Sequence, residues 1–212
     1  MIRILHQAGA ISAQLVESLP CPADAYRSVT GGDSALLLSV TDSQLEQLLA
    51  SPEYRDFVTH ASTEIYHQQQ FELRENTWAP KAPTSALIRW PARGQVRIII
   101  QGSYRPNPKR QELTLREVME TRREPGCVAY DWYAHTRDVD KLLLLEVWQD
   151  QQLYDAHWLG RVETTAYRGD SGRTPAGDAE REFYRRAEFD LLYGRFLPQN
   201  PAHYSHTVVW PD

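Results

Sequence analysis

Cysteine is scarce. Cys21 and Cys127 are the two in 212 residues, too few for a disulfide framework, and reduced thiols are the default inside a cell. There is no basic excess either. Lys and Arg number 23 against 28 Asp and Glu, a net charge of −5, which argues against a general nucleic-acid binder. The basic pairs Arg122-Arg123 and Arg185-Arg186 stand among acids and read as solvated helix faces. No apolar run approaches the ~18 residues that cross a bilayer. Met1 to His6 turns polar before any stretch of signal-peptide length. The expectation is a soluble, cytoplasmic chain with no membrane partner and no nucleic acid. A Gly-rich phosphate loop is missing. His203 and His206, three apart on an expected strand, point to opposite faces and do not share a metal. No resident metal or cofactor is expected.

What is present is ordinary for a globular fold, with 42% hydrophobic and 24% charged residues, and a chain of this length can bury a sizeable core. The clearest break is Ala79-Pro80-Lys81-Ala82-Pro83-Thr84, where prolines favour an extended connection. The domain reading is a module at 1–78, a linker at 79–94 and a fuller module at 95–212 with a helical insertion around 160–180. In the later module Val96 to Gln101 reads as a buried strand. Leu113, Leu115, Val118 and Met119 follow at helical spacing until Pro125-Gly126. Cys127 to His135 and Lys141 to Trp148 read as strands, Gln151 to Tyr167 and Ala179 to Tyr193 as helices, and Ala202 to Trp210 as a closing strand. Strand, helix, strand, strand, helix, strand is the ferredoxin-like order.

The earlier half carries a shorter echo. Ala35 to Asp42 resembles Lys141 to Trp148; Val40 aligns with Val147, and after a gap Asp42 falls on Asp150 and Leu45 on Leu153. On this alignment Thr41 stands at the Trp148 position and Leu49 at the His157 position. The fold class is therefore α+β, as two tandem ferredoxin-like modules packed sheet to sheet in an intrachain pseudo-dimer. A further homodimer stays open.

Glu124-Pro125-Gly126-Cys127-Val128-Ala129-Tyr130, Leu144-Leu145-Glu146-Val147-Trp148-Gln149-Asp150, and Leu153 through Ala156-His157 together resemble the antibiotic biosynthesis monooxygenase family. The resemblance implies a dimeric α+β barrel. It also implies an activity among cofactor-free oxygenation of anthrones and hydroquinones, haem degradation, and other small-molecule chemistry. In the anthrone oxygenases a Trp ends the third strand and a Tyr follows six residues later; Trp148 and Tyr154 match these pocket positions. An Asn four residues before that Trp is replaced here by Leu144.

Strand alternation puts Leu142, Leu144, Glu146 and Trp148 on one face, and Tyr130 and Trp132 opposite Asp131, Tyr133 and His135. Asp131 and His135 read as a surface pair. Tyr154, His157, Trp158 and Arg161 form one helical stripe. The expected site has His157, Trp148 and Tyr154 in catalytic roles and Tyr130, Trp132, Glu146, Trp158 and Arg161 binding substrate. Its expected chemistry is cofactor-independent monooxygenation of an aromatic, anthrone- or hydroquinone-like molecule, with molecular oxygen as co-substrate. The alternatives are a non-catalytic binding or structural protein of the same fold, and a haem protein using His60.

Overall fold

A computed structural model describes residues 2–67, 71–74, 77–80, 96–150, 152–154, 156–157, 160, 189–192, 195–198 and 208–209. The first half runs β1 (Ile2–Ala8), α1 (Ala13–Ser18), β2 (Ala23–Ser28), β3 (Ser34–Val40), α2 (Asp42–Ala50), α3 (Pro52–Thr59) and β4 (Ser62–His67), followed by a hairpin of β5 (Phe71–Arg74) and β6 (Thr77–Pro80). The second runs β7 (Val96–Ser103), α4 (Arg110–Thr121), β8 (Cys127–His135) and β9 (Lys141–Trp148), then β10 (Phe189–Leu192), β11 (Arg195–Pro198) and β12 (Val208–Val209).

Local sequence explains the main boundaries. Thr41 and Gln44 form a reciprocal capping box that starts α2, and Ser51 with Pro52 starts α3. Gly126, at a φ of 80°, makes the turn from α4 into β8. The runs Ala35–Leu38 and Leu142–Leu145 are buried on both faces, which is why they lack polar alternation.

Eight strands form one antiparallel sheet in the order β12-β7-β9-β8-β2-β3-β1-β4. Each half thus shows the same strand order, and the two meet edge to edge where Tyr26 pairs His135, Arg27 pairs Ala134 and Ser28 pairs Tyr133. That ladder is self-complementary about Arg27 and Ala134, as an isologous contact is. The flanking bonds keep the relation: Val29 N–H donates to the Trp132 carbonyl at 2.8 Å and Thr136 N–H to the Ala25 carbonyl at 2.9 Å.

The sheet also curls. Gln7 on β1 donates to the Tyr133 hydroxyl at 3.0 Å, and Gln101 on β7 donates to the Tyr26 hydroxyl at 2.6 Å, although two strands lie between the partners in each case. Curling gathers Leu5, Leu37, Ile99, Leu143 and Leu145 into one inner core shared by both halves. Outside it lie two helix-facing cores, one around Leu36, Leu38, Val40, Leu48 and Tyr54, the other around Ile98, Ile100, Leu144 and Trp148.

Several expectations need correction. The two halves do not rest on facing sheets alone; they share one sheet through a β2–β8 seam. The linker at 79–94 starts too early, because Ala79 and Pro80 pair with Glu72 and Phe71. A Pro at the end of a hairpin's outer strand costs no ladder bond, so it did not break the strand. Phe189–Leu192, expected within a helix, is a strand paired to β11. On α4 the buried side chains are Thr114, Glu117, Val118 and Thr121, and Met119 is exposed. The 160–180 insertion lies outside the described residues, apart from the helical Gly160.

The repeat register also shifts. Ile2 pairs Val40 as Val96 pairs Trp148, and Tyr26 pairs Ala35 as Tyr133 pairs Leu143. Val40, not Thr41, therefore occupies the Trp148 position. A one-residue slip exchanges the two faces of a strand, and removing it brings Asp42 onto Asp150 without a gap.

Candidate functional site

Three segments meet at the end of β9. Cys127 pairs Trp148 in the ladder, and Gln149 N–H donates to the Gly126 carbonyl at 2.8 Å. Asp150 caps the helical turn that follows, accepting from Leu153 N–H at 2.9 Å. A Cβ on Gly126 would fall 2.7 Å from Leu153 Cβ, so only glycine lets this turn lie against β8. The sequence motifs around Glu124, Glu146 and Ala156 are thus three sides of one corner.

The corner holds an aromatic cluster. His157 stacks on Trp148 with ring centroids 4.5 Å apart and planes at 32°. Tyr154 lies 6.2 Å from Trp148, and Tyr130 meets His157 edge-on at 6.0 Å. Trp132 sits further along β8, edge-on to Tyr104. Trp148 is fully buried and His157 is 7% exposed.

Carboxylates surround these rings. His157 Nδ1 lies 2.6 Å from Glu124 Oε2. With the proton on Nδ1 facing that carboxylate, Nε2 is the ring's acceptor. Trp148 Nε1–H donates to Glu146 at 2.7 Å, and the Tyr130 hydroxyl donates to Glu117 at 2.5 Å. Burial, with Glu146 and Glu124 nearby, pushes the Cys127 thiol up to about 11, so it stays protonated and is no nucleophile.

The structure therefore brings together Trp148, Tyr154, His157, Tyr130 and Glu146, with Trp132 at the margin. Trp158 and Arg161 lie outside the described residues. Leu144 packs among Ile98 and Ile100 as a core residue. Sequence reading missed two members. Glu124 was visible in the Glu-Pro-Gly-Cys motif without a role, and Glu117 sits on a polar stripe of α4 with Thr114 and Thr121 that apolar periodicity skips. Asp131 and His135 are not a pair: Asp131 is buried against Ser28, Thr30 and Arg122, while His135 lies 3.3 Å from Asp24. His60 is exposed at the end of α3, its Nδ1 held by Thr59 and the Asp56 carbonyl, so it faces no pocket among the described residues.

The first half places its buried polar group elsewhere: His6, on β1 at the position of Ile100 on β7, is bonded to the Tyr54 hydroxyl at 2.9 Å and Thr63 at 2.8 Å. Burial lowers its pKa to about 4 and raises that of Tyr54 to about 12, so this His–Tyr–Thr knot is neutral at physiological pH.

Residues 98–159 match the family model of antibiotic biosynthesis monooxygenases, the span that supplies β7, α4, β8, β9 and the His157 turn. An uncharacterized protein of Synechocystis is 26% identical over 102 residues, covering 45% of this chain and 67% of that one. Among solved structures, a conserved protein of unknown function from Bacteroides thetaiotaomicron shows 22% identity and a TM-score of 0.32, over 38% of this chain and 86% of its own. An anthrone oxidase-like protein shows 13% identity and a TM-score of 0.34, over 83% of this chain and 86% of its own. The resemblance to the antibiotic biosynthesis monooxygenases thus holds over residues 98–159.

Proposed function

We propose that the second half is a cofactor-independent monooxygenase acting on a small aromatic, anthrone- or hydroquinone-like molecule, and that the chain is an intrachain pseudo-dimer whose first half supplies shape. The observation that carries this reading is the His157–Glu124 pair at 2.6 Å stacked beneath Trp148: an oriented acceptor set among rings suited to a flat ligand.

The chemistry balances on an anthrone methylene. His157 Nε2 takes one C–H proton, leaving a carbanion delocalised over the ring ketone. That anion reduces O2 and forms a C–O bond, giving a peroxide. The imidazolium returns its proton to the peroxide; loss of the second C–H proton with hydroxide breaks the O–O bond, leaving a ketone and water. One oxygen atom stays in the quinone. Glu124 holds the imidazole in register and stabilises its cation, as a carboxylate does behind a catalytic histidine.

A second reading, a non-catalytic binding or structural protein, draws on the full burial of Trp148. One experiment separates the two. Oxygen uptake is followed with a panel of anthrones and hydroquinones, with and without O2, for the wild type and Glu124→Gln. The enzyme reading expects O2-dependent quinone and a slower variant; quinone formed equally under anaerobic conditions, or no turnover with any substrate, removes it.

A further inference from the structure

The curled sheet has two mouths related by the symmetry of the β2–β8 seam, and they differ in charge. At one mouth Asp24 is fully answered: Lys141 Nζ donates to Oδ1 at 2.7 Å, His135 lies 3.3 Å from the same oxygen, and Gln101 donates to Oδ2 at 2.6 Å. The ladder places Asp131 at the equivalent position on the other side, since Asp24 pairs Leu37 as Asp131 pairs Leu145. It likewise places Asp33, one step before β3, where Lys141 opens β9. The lysine of the first mouth has become a second carboxylate.

The consequence is visible atom by atom. Asp131 Oδ2 accepts from Ser28 at 2.5 Å and Thr30 at 2.7 Å, with Arg122 Nη2 3.3 Å away. Those bonds fix the carboxylate, yet among the described residues its Oδ1 is buried without a partner, and Asp131 as a whole is 7% exposed. Leaving a buried acceptor unmade is unfavourable, and more so for a charged group. Asp33 takes two neutral donors, Gln7 at 3.1 Å and Tyr133 at 2.9 Å. Against two carboxylates the mouth has, among the described residues, one cation, Arg122, whose Nε is engaged by the Tyr130 carbonyl at 2.7 Å. A half-open cavity of about 510 Å³ lies over both aspartates, with Leu145, Val128 and Ala129 as its apolar lining.

We infer that this mouth binds a primary ammonium ligand: the ligand's nitrogen takes at Asp131 Oδ1 the place that Lys141 Nζ takes at Asp24 Oδ1, and its apolar body lies along Leu145 and Val128. The site is on the opposite face of β8 from Trp148 and does not depend on the oxygenase reading. An aliphatic amine, with a pKa near that of Lys at about 10.4, is a cation at neutral pH. A carboxylate ligand is repelled.

The test uses the full chain and three probes of nearly one shape: 2-phenylethylamine, 2-phenylethanol and phenylacetate. Amide chemical shifts of Thr30 and Ala129 are followed in NMR titrations. The amine gives saturable shifts and binds at least tenfold more tightly than the alcohol, and phenylacetate gives none. Asp131→Asn abolishes the preference. Asp33→Lys, which installs the lysine of the other mouth, abolishes it as well and keeps the test open if the first variant does not fold. Equal binding of amine and alcohol, a preference that survives in the folded variants, or no saturable shift with the amine overturns the inference.

Discussion

The two halves share a ladder and differ in what they bury at its helix-facing side. Where the second half has Trp148 at the end of its third strand, the first has Val40; where the second has His157, buried and bonded to Glu124, the first has Leu49 at 55% exposure. The polarity is inverted on the first strand, with His6 in one half and Ile100 in the other, at matching places in the ladders. A like strand order fixes where a side chain points, but each half has a different position for its polar group. One choice gives a self-satisfied knot, the other an imidazole among rings and carboxylates.

The largest effect that sharpens this contrast is Trp148→Ala. Truncating a fully buried Trp costs about 3–5 kcal/mol, whereas Val40→Ala, at the equivalent position, costs about 2 kcal/mol in buried methyl groups. Urea denaturation of the two variants measures the difference; equal costs would break the positional equivalence.

Next comes pH. His6 in the folded chain stays neutral down to about 4, while an unfolded histidine protonates near 6.5. Between those values the unfolded state binds more protons, so stability falls as pH drops from ~6.5 to ~4, by about 3 kcal/mol in total. His6→Leu removes that slope. A wild-type and variant pair whose stabilities fall in parallel would show that the first half's knot is not what titrates.

The glycines give the smallest contrast. Gly31 and Gly126 both have φ of 80°, but among the described residues a Cβ meets nothing within 4 Å at Gly31 and overlaps Leu153 at Gly126. Gly31→Ala is expected to cost about 1–2 kcal/mol for the left-handed backbone. Gly126→Ala costs about 2–3 kcal/mol, because packing overlap adds to it. Thermal melts that rank them the other way would separate the β8 turn from the His157 helix.

How much of this was legible in sequence follows from physics. Cys127–His135 and Lys141–Trp148 were readable to the residue, because β-branched and aromatic runs end sharply at polar turns. The faces of Trp148, Glu146, Tyr130 and Trp132 followed from alternation. The repeat register did not, since Leu36–Leu38 and Leu142–Leu145 are apolar on both sides and a slip of one leaves composition unchanged. His6 escaped because a lone histidine in an apolar strand has partners far away in sequence, Tyr54 and Thr63. Asp131 looked like a surface acid because what buries it, the Ser28–Thr30 turn, comes from the other half of the chain.

The central claim is that chemistry belongs to the second half alone. Oxygen consumption with an anthrone substrate, measured for the wild type, His157→Ala and His6→Leu at a pH where all three are folded, tests it most directly. Loss of a general base lowers rates by about 100-fold or more, so His157→Ala should fall at least that far while His6→Leu stays near the wild-type rate. A fall confined to His6→Leu, or equal in both, would contradict the account.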